Sequence, residues 1–473
     1  MKRHHIAFIA LLLIAVCLLS YQINLPYCKI LEHGTLEIRA RNFLQQGFLT
    51  LRFLPTRNLL GGRPNFYLKH PPLFIIILSL WLKILGDSEI SARLLVIICS
   101  LGSLTLLYLI IRRETSIKLA LFTALITILL PIFFYYGRVV NYDPYILFIS
   151  LLVIWLFLKS STKSNIHLHI ALFIAVCSGV LSDWGFYFTP LSLFLYALIR
   201  KQKRLLAMGT IFAAGATFLL MIWYYSFAAG EWGGSLTVFG GTSQYTKLNS
   251  AKNILWLSLP FYKILVTRML HCFTFLIPVL ALGGLIINFL NIRNQENRRS
   301  FALTILLIFN GLGLIITAPS YLFNHDWGLF MLIPAISFLS AQIILKFSIK
   351  IRFMVLLFLI VLSSLQFRYF HSTFSLSPFQ VGRTINQNSR QGDTILTLRG
   401  PPIAYYSGLP VQFLWPGPPG KNIILNFHPT WVVFHENQEV SLQTSLKKFH
   451  TCLKEEGYHK TLQSGFEVWK IEN

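Results

Sequence analysis

Acidic residues are the scarcest charged residues in this chain of 473 amino acids. It has 17 Asp and Glu against 41 Lys and Arg, and charged residues of both signs make up only 12% of the sequence. Hydrophobic residues make up 55%. A water-soluble protein of this length needs more polar surface, so we expect most of the chain to be surrounded by lipid.

Cysteine is also sparse, and its spacing excludes the usual cysteine-based sites. None of the six cysteines belongs to a CxxC motif or has the spacing of a metal site. Most lie in apolar stretches, where a free cysteine is a small buried residue, so no disulfide framework is expected. The six are Cys17, Cys28, Cys99, Cys177, Cys272 and Cys452.

The basic residues are clustered between apolar runs. In a soluble protein the net charge of +24 would suggest a nucleic-acid partner. Here the clusters indicate membrane topology instead, because cytoplasmic connections are enriched in Lys and Arg. We therefore expect membrane lipid around the chain and no nucleic-acid partner.

Eleven apolar runs are predicted to cross the membrane. The first, within "MKRHHIAFIALLLIAVCLLSYQI", lacks a small-x-small cleavage site, so it is predicted to be an uncleaved helix with a cytoplasmic N-terminus. The other ten cover residues 90–111, 118–137, 144–159, 166–182, 185–199, 205–225, 267–290, 301–318, 327–346 and 353–368.

The run at residues 73–86 is predicted not to cross. Its apolar part has about 14 residues, which is short for a bilayer core of ~30 Å. The basic clusters fall at every second connection only if this run stays on the outer side. A re-entrant or interfacial helix is therefore favoured, and a short, strongly tilted span is the alternative.

The sequence changes character at about residue 369. Short β-like runs, such as "WVVFHE" and "FEVWKIEN", are divided by Gly and Pro, with one helix-like stretch between these two. We predict two domains: a transmembrane domain over residues 1–368 and a small extracytoplasmic α/β domain over residues 369–473.

Two acids next to apolar runs are candidate functional residues, because acids at such positions are costly. Glu32 follows the first predicted helix. Asp143 lies in "GRVVNYDPYILF", between two predicted spans. The simpler interpretations are a solvated loop carboxylate or helix cap for Glu32, and an ordinary cap before Pro144 for Asp143.

Three motifs in this order resemble the polytopic glycosyltransferases that use polyprenyl-phosphate sugars, the GT-C fold superfamily. They are "EHGTLEIRARNFLQQG", "YLKHPPLFIIILSLWLKILGDSEISARLL" and "GRVVNYDPYILF". The superfamily includes protein O-mannosyltransferases and the aminoarabinose transferase that acts on lipid A. The resemblance covers about residues 1–370 and is most specific in the first 150. It implies an all-α polytopic membrane protein of GT-C type.

The chain departs from the family pattern at three places. Glu32 stands where most members have Asp-Glu. His70 replaces the usual lysine before Pro-Pro, although Lys69 precedes it. Asp183-Trp184 stands where a lysine is often found. These departures leave open which cation binds the donor phosphate and which sugar is transferred.

The resemblance assigns roles to the candidate residues. A lipid-phosphate leaving group needs positive charge in a place of low dielectric, and Lys69, His70 and Arg138 are the candidates. Their simpler roles are anchoring at the lipid interface and, for Arg138, a salt bridge to Asp143. Glu32 is predicted to be the general base and Asp143 an orienting carboxylate.

Other assignments are less specific. Glu37 is an alternative base, although on a helix it fits an i,i+4 pair with Arg41 better. His325 and Asp326 are candidates for binding substrate or a metal, since some members of the superfamily use a divalent ion. No certain cofactor is expected.

The predicted function is sugar transfer from a polyprenyl-phosphate donor to a hydroxyl on a glycolipid, polysaccharide or protein. The expected location is a bacterial inner membrane, with the active site and C-terminal domain outside. A transporter or flippase of lipid-linked sugars is the alternative, and an inactive scaffold is a third possibility. The sequence identifies neither sugar nor acceptor.

Overall fold

The protein is built mainly from helices, with a small β-sheet near its C-terminus. A computed structural model describes residues 3–26, 34–58, 65–68, 70–160, 165–229, 259–290, 295–317, 325–372, 377–398, 401–414, 429–435, 449–463 and 466–471. The α-helices are α1 (Arg3–Ser20), α2 (Thr35–Gln46), α3 (Leu73–Leu85), α4 (Glu89–Glu114), α5 (Ile117–Leu129), α6 (Pro131–Tyr136), α7 (Tyr142–Ser160), α8 (Ile166–Val180), α9 (Phe188–Arg200), α10 (Arg204–Ala229), α11 (Leu259–Phe273), α12 (Leu276–Leu290), α13 (Gln295–Thr317), α14 (Ile333–Ile344), α15 (Ile349–Ser372), α16 (Ser377–Gln387) and α17 (Pro401–Ser407).

The described residues also form short 3₁₀ helices and β-strands. Two 3₁₀ helices cover Trp184–Tyr187 and Asp326–Leu332. The strands are β1 (Thr56–Asn58), β2 (Asn65–Phe66), β3 (Ile395–Leu398), β4 (Val411–Leu414), β5 (Trp431–His435), β6 (Tyr458–Gln463) and β7 (Phe466–Ile471). The chain divides into two compact units. The first comprises Met1–Ile23, Leu68–Phe74 and Arg93–His371, and the second Asn24–Tyr67, Ile75–Ala92 and Ser372–Asn473.

Six helical stretches in the described part of the chain are long and apolar enough to cross a membrane. They are α1, α4, α7, α10, the stretch Asp326–Ile344, and α15. A bent pair, α11 and α12, raises the number to seven if it is one span. The membrane character of the chain is thus confirmed. The predicted number of eleven spans is not, since α5 and α8 are helices of only 13 and 15 residues.

Proline divides one of the predicted spans. The run predicted at residues 118–137 forms two helices, α5 and α6, which meet at Leu130. Leu130 is extended (φ −71°, ψ 126°), because the ring of Pro131 disfavours a helical conformation in the residue before it. Pro131 then begins α6, a position where its missing N–H costs nothing.

A second predicted span, at residues 267–290, is also two helices. Helix α11 begins earlier than predicted, at Leu259, and α12 leaves it at an angle of 102°. Thr274 lies in the break with φ 63°, the left-handed region that a β-branched residue rarely adopts. Pro278, in the first turn of α12, lacks the N–H that a continuous helix would bond to the carbonyl oxygen of Thr274, and its ring crowds that oxygen, so the run breaks here.

Close helix contacts in the first unit depend on small residues. A side chain on Gly284 would place its Cβ 2.5 Å from the carbonyl oxygen of Leu339, so the backbones of α12 and α14 touch. Membrane helices associate by such packing and by hydrogen bonds between helices, since lipid offers no hydrophobic driving force. One such network joins Thr189 to Ser150 (2.9 Å) and Asn310 (2.7 Å).

The second unit contains the β-sheet. Its five strands have the order β4-β3-β5-β7-β6. Strands β3, β4 and β5 are parallel, and β7 pairs antiparallel with β5 and β6. A core cluster includes Leu396, Val432, Phe434, Leu453 and Trp469. The sheet agrees with the predicted α/β character, although β6 was not recognised in the sequence.

Helix α2 begins and ends close to the predicted positions. It stops before Gly47, whose φ of 87° suits glycine. Glu37 interacts electrostatically with Arg41, as expected for an i,i+4 pair, but among the described residues it is not the acid that binds the guanidinium directly. The Arg41 guanidinium instead binds the Asp87 carboxylate (2.6 and 3.3 Å), because the turn between α3 and α4 brings that acid to it. Arg41 also lies over the ring of Tyr405 (4.5 Å).

Candidate functional site

Five of the seven predicted site residues lie in the described part of the first unit. These are His70, Arg138, Asp143, His325 and Asp326. Glu32 and Lys69 lie outside the described residues, so their predicted roles are not tested by the structure.

His70 is held on several sides. Its Nδ1 lies 2.7 Å from Oδ2 of Asp183, and its ring stacks on Tyr142 with centroids 4.7 Å apart and planes inclined by 13°. The Tyr225 hydroxyl donates to the His70 carbonyl oxygen (3.1 Å). These contacts orient the imidazole.

Asp143 lies in the first turn of α7 and is 6% exposed. The side-chain amide of Asn141 donates to Asp143 Oδ2 (2.8 Å), and Asn141 Oδ1 accepts from the N–H of Tyr142 (2.8 Å). Asp143 is also close enough to Asp183 for their carboxylates to interact electrostatically. The structure therefore brings Asp143 to the group around His70, where it lies beside a second acid.

Asp183 is the residue of this group to which sequence reasoning gave no role. It caps the 3₁₀ helix Trp184–Tyr187, with Oδ1 accepting from the N–H of Gly185 at 3.0 Å. The Asp-Trp-Gly sequence between two apolar runs is the signal that could have identified it, because acids are scarce in this chain and Asp is a common cap.

His325 and Asp326 lie at the start of the second 3₁₀ helix. His325 stacks on Trp327 with centroids 4.3 Å apart. Burial, the Arg268 guanidinium and His70 together lower the pKa of His325 to about 4, so the imidazole is neutral at neutral pH. Asp326 Oδ1 pairs with Arg268 Nη1 at 2.9 Å. No motif in the sequence points to Arg268.

Arg138 has different neighbours. Its guanidinium donates to the carbonyl oxygen of Tyr21 and lies 5.9 Å from the ring of Phe367. Arg93 donates in the same way to the carbonyl oxygen of Ile23. Burial and the nearby Arg93 lower the pKa of Arg138 to about 10. The two guanidinium groups thus bind carbonyl groups that follow α1, where positive charge complements a helix C-terminus.

Within the ranges given above, no group of three or more His, Cys, Asp or Glu side chains is placed to hold a metal ion. The metal role suggested for His325 and Asp326 therefore remains a prediction.

Part of the sequence matches a known family. Residues 69–225, about a third of the chain, match the sequence model of the dolichyl-phosphate-mannose-protein mannosyltransferases. This range contains His70, Arg138, Asp143 and Asp183. A search of curated proteins by sequence finds no match.

Several solved structures resemble the fold over nearly the whole chain, among them the following two. The first is ArnT from Cupriavidus metallidurans bound to undecaprenyl phosphate, with a TM-score of 0.68, 13% identity, and coverage of 98% of this chain and 97% of that one. The second is the oligosaccharyltransferase AglB from Archaeoglobus fulgidus, in complex with an inhibitory peptide and a dolichol-phosphate. Its TM-score is 0.60, with 11% identity and coverage of 99% and 74%.

These comparisons confirm the predicted resemblance to the GT-C superfamily. At such identities the structures establish the fold alone. The matching family and both structural neighbours are glycosyltransferases, as the prediction of the enzyme class requires. The chain therefore has the fold of the GT-C membrane glycosyltransferases, and its residues 69–225 carry the sequence pattern of the dolichyl-phosphate-mannose-protein mannosyltransferases.

Proposed function

We propose that this protein transfers a sugar from a polyprenyl-phosphate donor to an acceptor hydroxyl at the outer face of a bacterial inner membrane. One observation carries the proposal. His70, Asp143 and Asp183 come together where α7 begins and α8 has ended, in a unit built almost entirely from apolar helices. Residues 1–368 would be the catalytic membrane domain and residues 369–473 an outer α/β domain.

The donor chemistry explains why a cation belongs in this place. A polyprenyl-phosphate sugar is a phosphodiester with one negative charge. When the bond between the anomeric carbon and the phosphate oxygen breaks, lipid phosphate leaves with a second negative charge. Positive groups placed at that oxygen stabilise the growing charge most strongly where water is excluded. His70 and Lys69 are the proposed groups.

The acceptor oxygen must lose its proton as it attacks the opposite face of the anomeric carbon. A carboxylate within hydrogen-bonding reach can take that proton, and Glu32 is the proposed base. Asp143 would orient the sugar or the acceptor. Direct displacement inverts the anomeric configuration, and no covalent sugar–enzyme intermediate is needed.

The transporter alternative is supported by one feature. The bent pair α11 and α12, broken at Thr274, is the type of discontinuous helix that transporters place at their binding sites. A transporter would move the lipid-linked sugar without breaking the anomeric bond. The two functions therefore differ in their products.

The test uses the full chain in lipid nanodiscs with labelled polyprenyl-phosphate sugars and membrane or envelope extracts as acceptors. We expect mass spectrometry to detect a glycosylated acceptor with inverted configuration. Glu32→Gln should reduce transfer by about 10²–10⁴-fold, the usual contribution of a general base. Glu455→Gln, in an exposed position of the second unit, is the matched control and should leave transfer unchanged.

Two results would contradict the proposal. One is full transfer activity in Glu32→Gln. The other is movement of intact donor across liposome membranes, with no sugar transfer to any acceptor, which would favour the transporter.

A further inference from the structure

Segments that are far apart in the sequence meet at one end of the first unit. Helices α4, α7 and α9 end here, and α10 and α13 begin here. The Arg113 side chain, in the last turn of α4, donates through Nη2 to the carbonyl oxygen of Leu158 in α7 (2.9 Å). The Tyr196 hydroxyl of α9 donates to Oε2 of Glu114 (2.9 Å). The ends of these three helices therefore lie side by side.

Four cations from these segments surround a single carboxylate. Lys203 interacts electrostatically with two arginines and with Glu114, and its Nζ lies 5.6 Å from the ring centre of Phe157. Tyr196 interacts with two further arginine side chains and with Glu114. Within the described residues, Glu114 is the one acid that acts on either of them. We call these four cations the basic cluster: Arg113, Arg200, Lys203 and Arg299.

The carboxylate of Glu114 does not balance this charge. Its side chain is only 11% exposed, and its two oxygens face Tyr196 and Arg113, with Oε1 3.8 Å from Arg113 Nε. Burial, Arg113 and Arg200 lower the pKa of Lys203 despite the opposing effect of Glu114. The cations of the basic cluster thus repel one another, and an added anion would relieve that repulsion.

Arg200 supplies a hydrogen-bond donor that points to such an anion. Its Nε is buried and has no acceptor among the described residues. Buried donors in native proteins are nearly always paired, with protein, water or a bound group. The planar guanidinium group matches two oxygens of a phosphate at once, a geometry that a lysine cannot offer. Phosphate is therefore the ligand chemistry that suits this position.

Apolar side chains next to the basic cluster indicate the source of the phosphate. Leu198 and Leu205 flank the turn between α9 and α10, and both are exposed. Phe212, two turns further along α10, is exposed as well. A free phosphate ion would contact only the cations. A phospholipid would also cover the apolar side chains, and basic pockets between membrane helices bind anionic headgroups in this way.

We propose that the basic cluster binds the phosphate group of an anionic phospholipid, whose acyl chains lie against the exposed apolar side chains of α9 and α10. Arg200 and Lys203 are the phosphate ligands, and Arg113 and Arg299 add positive charge. Glu114 limits the affinity, because its negative charge opposes that of the phosphate.

This lipid site is separate from the group around His70. Asp143 lies in the first turn of α7 and Leu158 in the last, and α7 has 19 residues, which corresponds to a length of ~28 Å. The connections of the basic cluster are among those predicted to be cytoplasmic, whereas sugar transfer is proposed for the outer face. The inference therefore does not depend on the proposed function.

The test measures lipid binding to the delipidated full chain in detergent by native mass spectrometry. The three probes are phosphatidylglycerol, phosphatidylcholine with the same acyl chains, and inorganic phosphate. We expect one saturable phosphatidylglycerol, weaker binding of the zwitterionic phosphatidylcholine, and no displacement of phosphatidylglycerol by an equal concentration of inorganic phosphate.

Removal of two cations should weaken this binding. A Lys or Arg at the membrane surface contributes about fivefold to the affinity for an anionic lipid, so Arg200→Gln combined with Lys203→Gln should weaken it about 25-fold. Lys118→Gln combined with Lys350→Gln is the matched control, since it removes two positive charges at exposed positions outside the basic cluster. It should leave the affinity unchanged.

Glu114→Gln should have the opposite effect. It removes the negative charge and keeps a side-chain oxygen that can accept from the Tyr196 hydroxyl. Phosphatidylglycerol should therefore bind about fivefold more tightly, the effect of one charge at the membrane surface. Unchanged or weaker binding in a folded Glu114→Gln would contradict the proposed position of the phosphate.

Three further outcomes would overturn the inference. Equal affinity of the wild type for the two phospholipids would do so without any variant, as would displacement of the lipid by inorganic phosphate. An equal loss of affinity in the control pair would show general attraction to a basic surface and no site. Specific lipid binding in a chain that transfers no sugar would support the lipid site and contradict only the proposed function.

Discussion

Substitution of Gly179 by alanine should perturb the candidate site through a single packing contact. A Cβ on Gly179 would lie 2.3 Å from Cδ2 of Phe186, whereas ordinary contacts begin at about 3.4 Å. The ring must therefore move by roughly 1 Å in an interior with little free volume. Phe186 is fully buried and belongs to the 3₁₀ helix that Asp183 caps.

Two magnitudes follow from this displacement. Overpacking of a buried site costs about 1–3 kcal/mol of stability. A shift of ~1 Å in a group that positions a reacting partner costs about a hundredfold in rate. We therefore expect Gly179→Ala to lower the thermal midpoint in detergent and to lower sugar transfer more than its loss of stability alone explains.

Gly215→Ala is the matched control. It makes the same chemical change in α10, at an exposed position where a Cβ would meet nothing within 4 Å. It should leave activity unchanged and leave stability unchanged or slightly higher, since alanine is the better helix former. If Gly179→Ala matched this control in both thermal midpoint and transfer, the argument linking Phe186 to Asp183 would be refuted.

Two further predictions follow from the structure. The folded state lowers the pKa of His325 from 6.5 to about 4, so folding favours its neutral form and stability should fall as the pH drops from about 6.5 towards 4. In His325→Gln the thermal midpoint should fall less than in the wild type over this pH range. An identical dependence of the thermal midpoint on pH in the two proteins would contradict this prediction. Arg41→Lys should cost about 1 kcal/mol, because lysine cannot reproduce the two contacts with Asp87 or the stacking on Tyr405. Faster hydrogen exchange in α2 and α17 would check this, and exchange equal to that of wild type would count against it.

Most helices in the apolar part of the chain could be predicted from local sequence patterns. Each apolar run in the described residues coincides with helical structure, and Gly47 ends α2 as expected. The break at Pro131 follows from proline chemistry, although the apolar run was predicted to be one span. The bend at Thr274 has a similar signal in Pro278, four residues later, which cannot donate to the Thr274 carbonyl oxygen.

The candidate site was predictable in part. The choice of His70 and Asp143 rested on a resemblance and on the scarcity of acids, and the structure brings both to Asp183. Arg138 was expected to act on the donor phosphate, but its described contacts lie with Tyr21 and Phe367. Arg268 stands in an apolar helix with no motif around it. The tertiary structure places it beside Asp326 and near His325.

The sequence by itself determined that this is a membrane protein. So apolar a surface is stable only in contact with lipid, and inside a bilayer the N–H and C=O groups of these apolar runs can form their hydrogen bonds within helices. The tertiary structure decided which charged groups face each other. Asp183 and His70 are separated by 113 positions, and Arg268 and Asp326 by 58. Helical periodicity reports the neighbours of a residue within a few turns, whereas ion pairs between distant segments form only when packing brings those segments together.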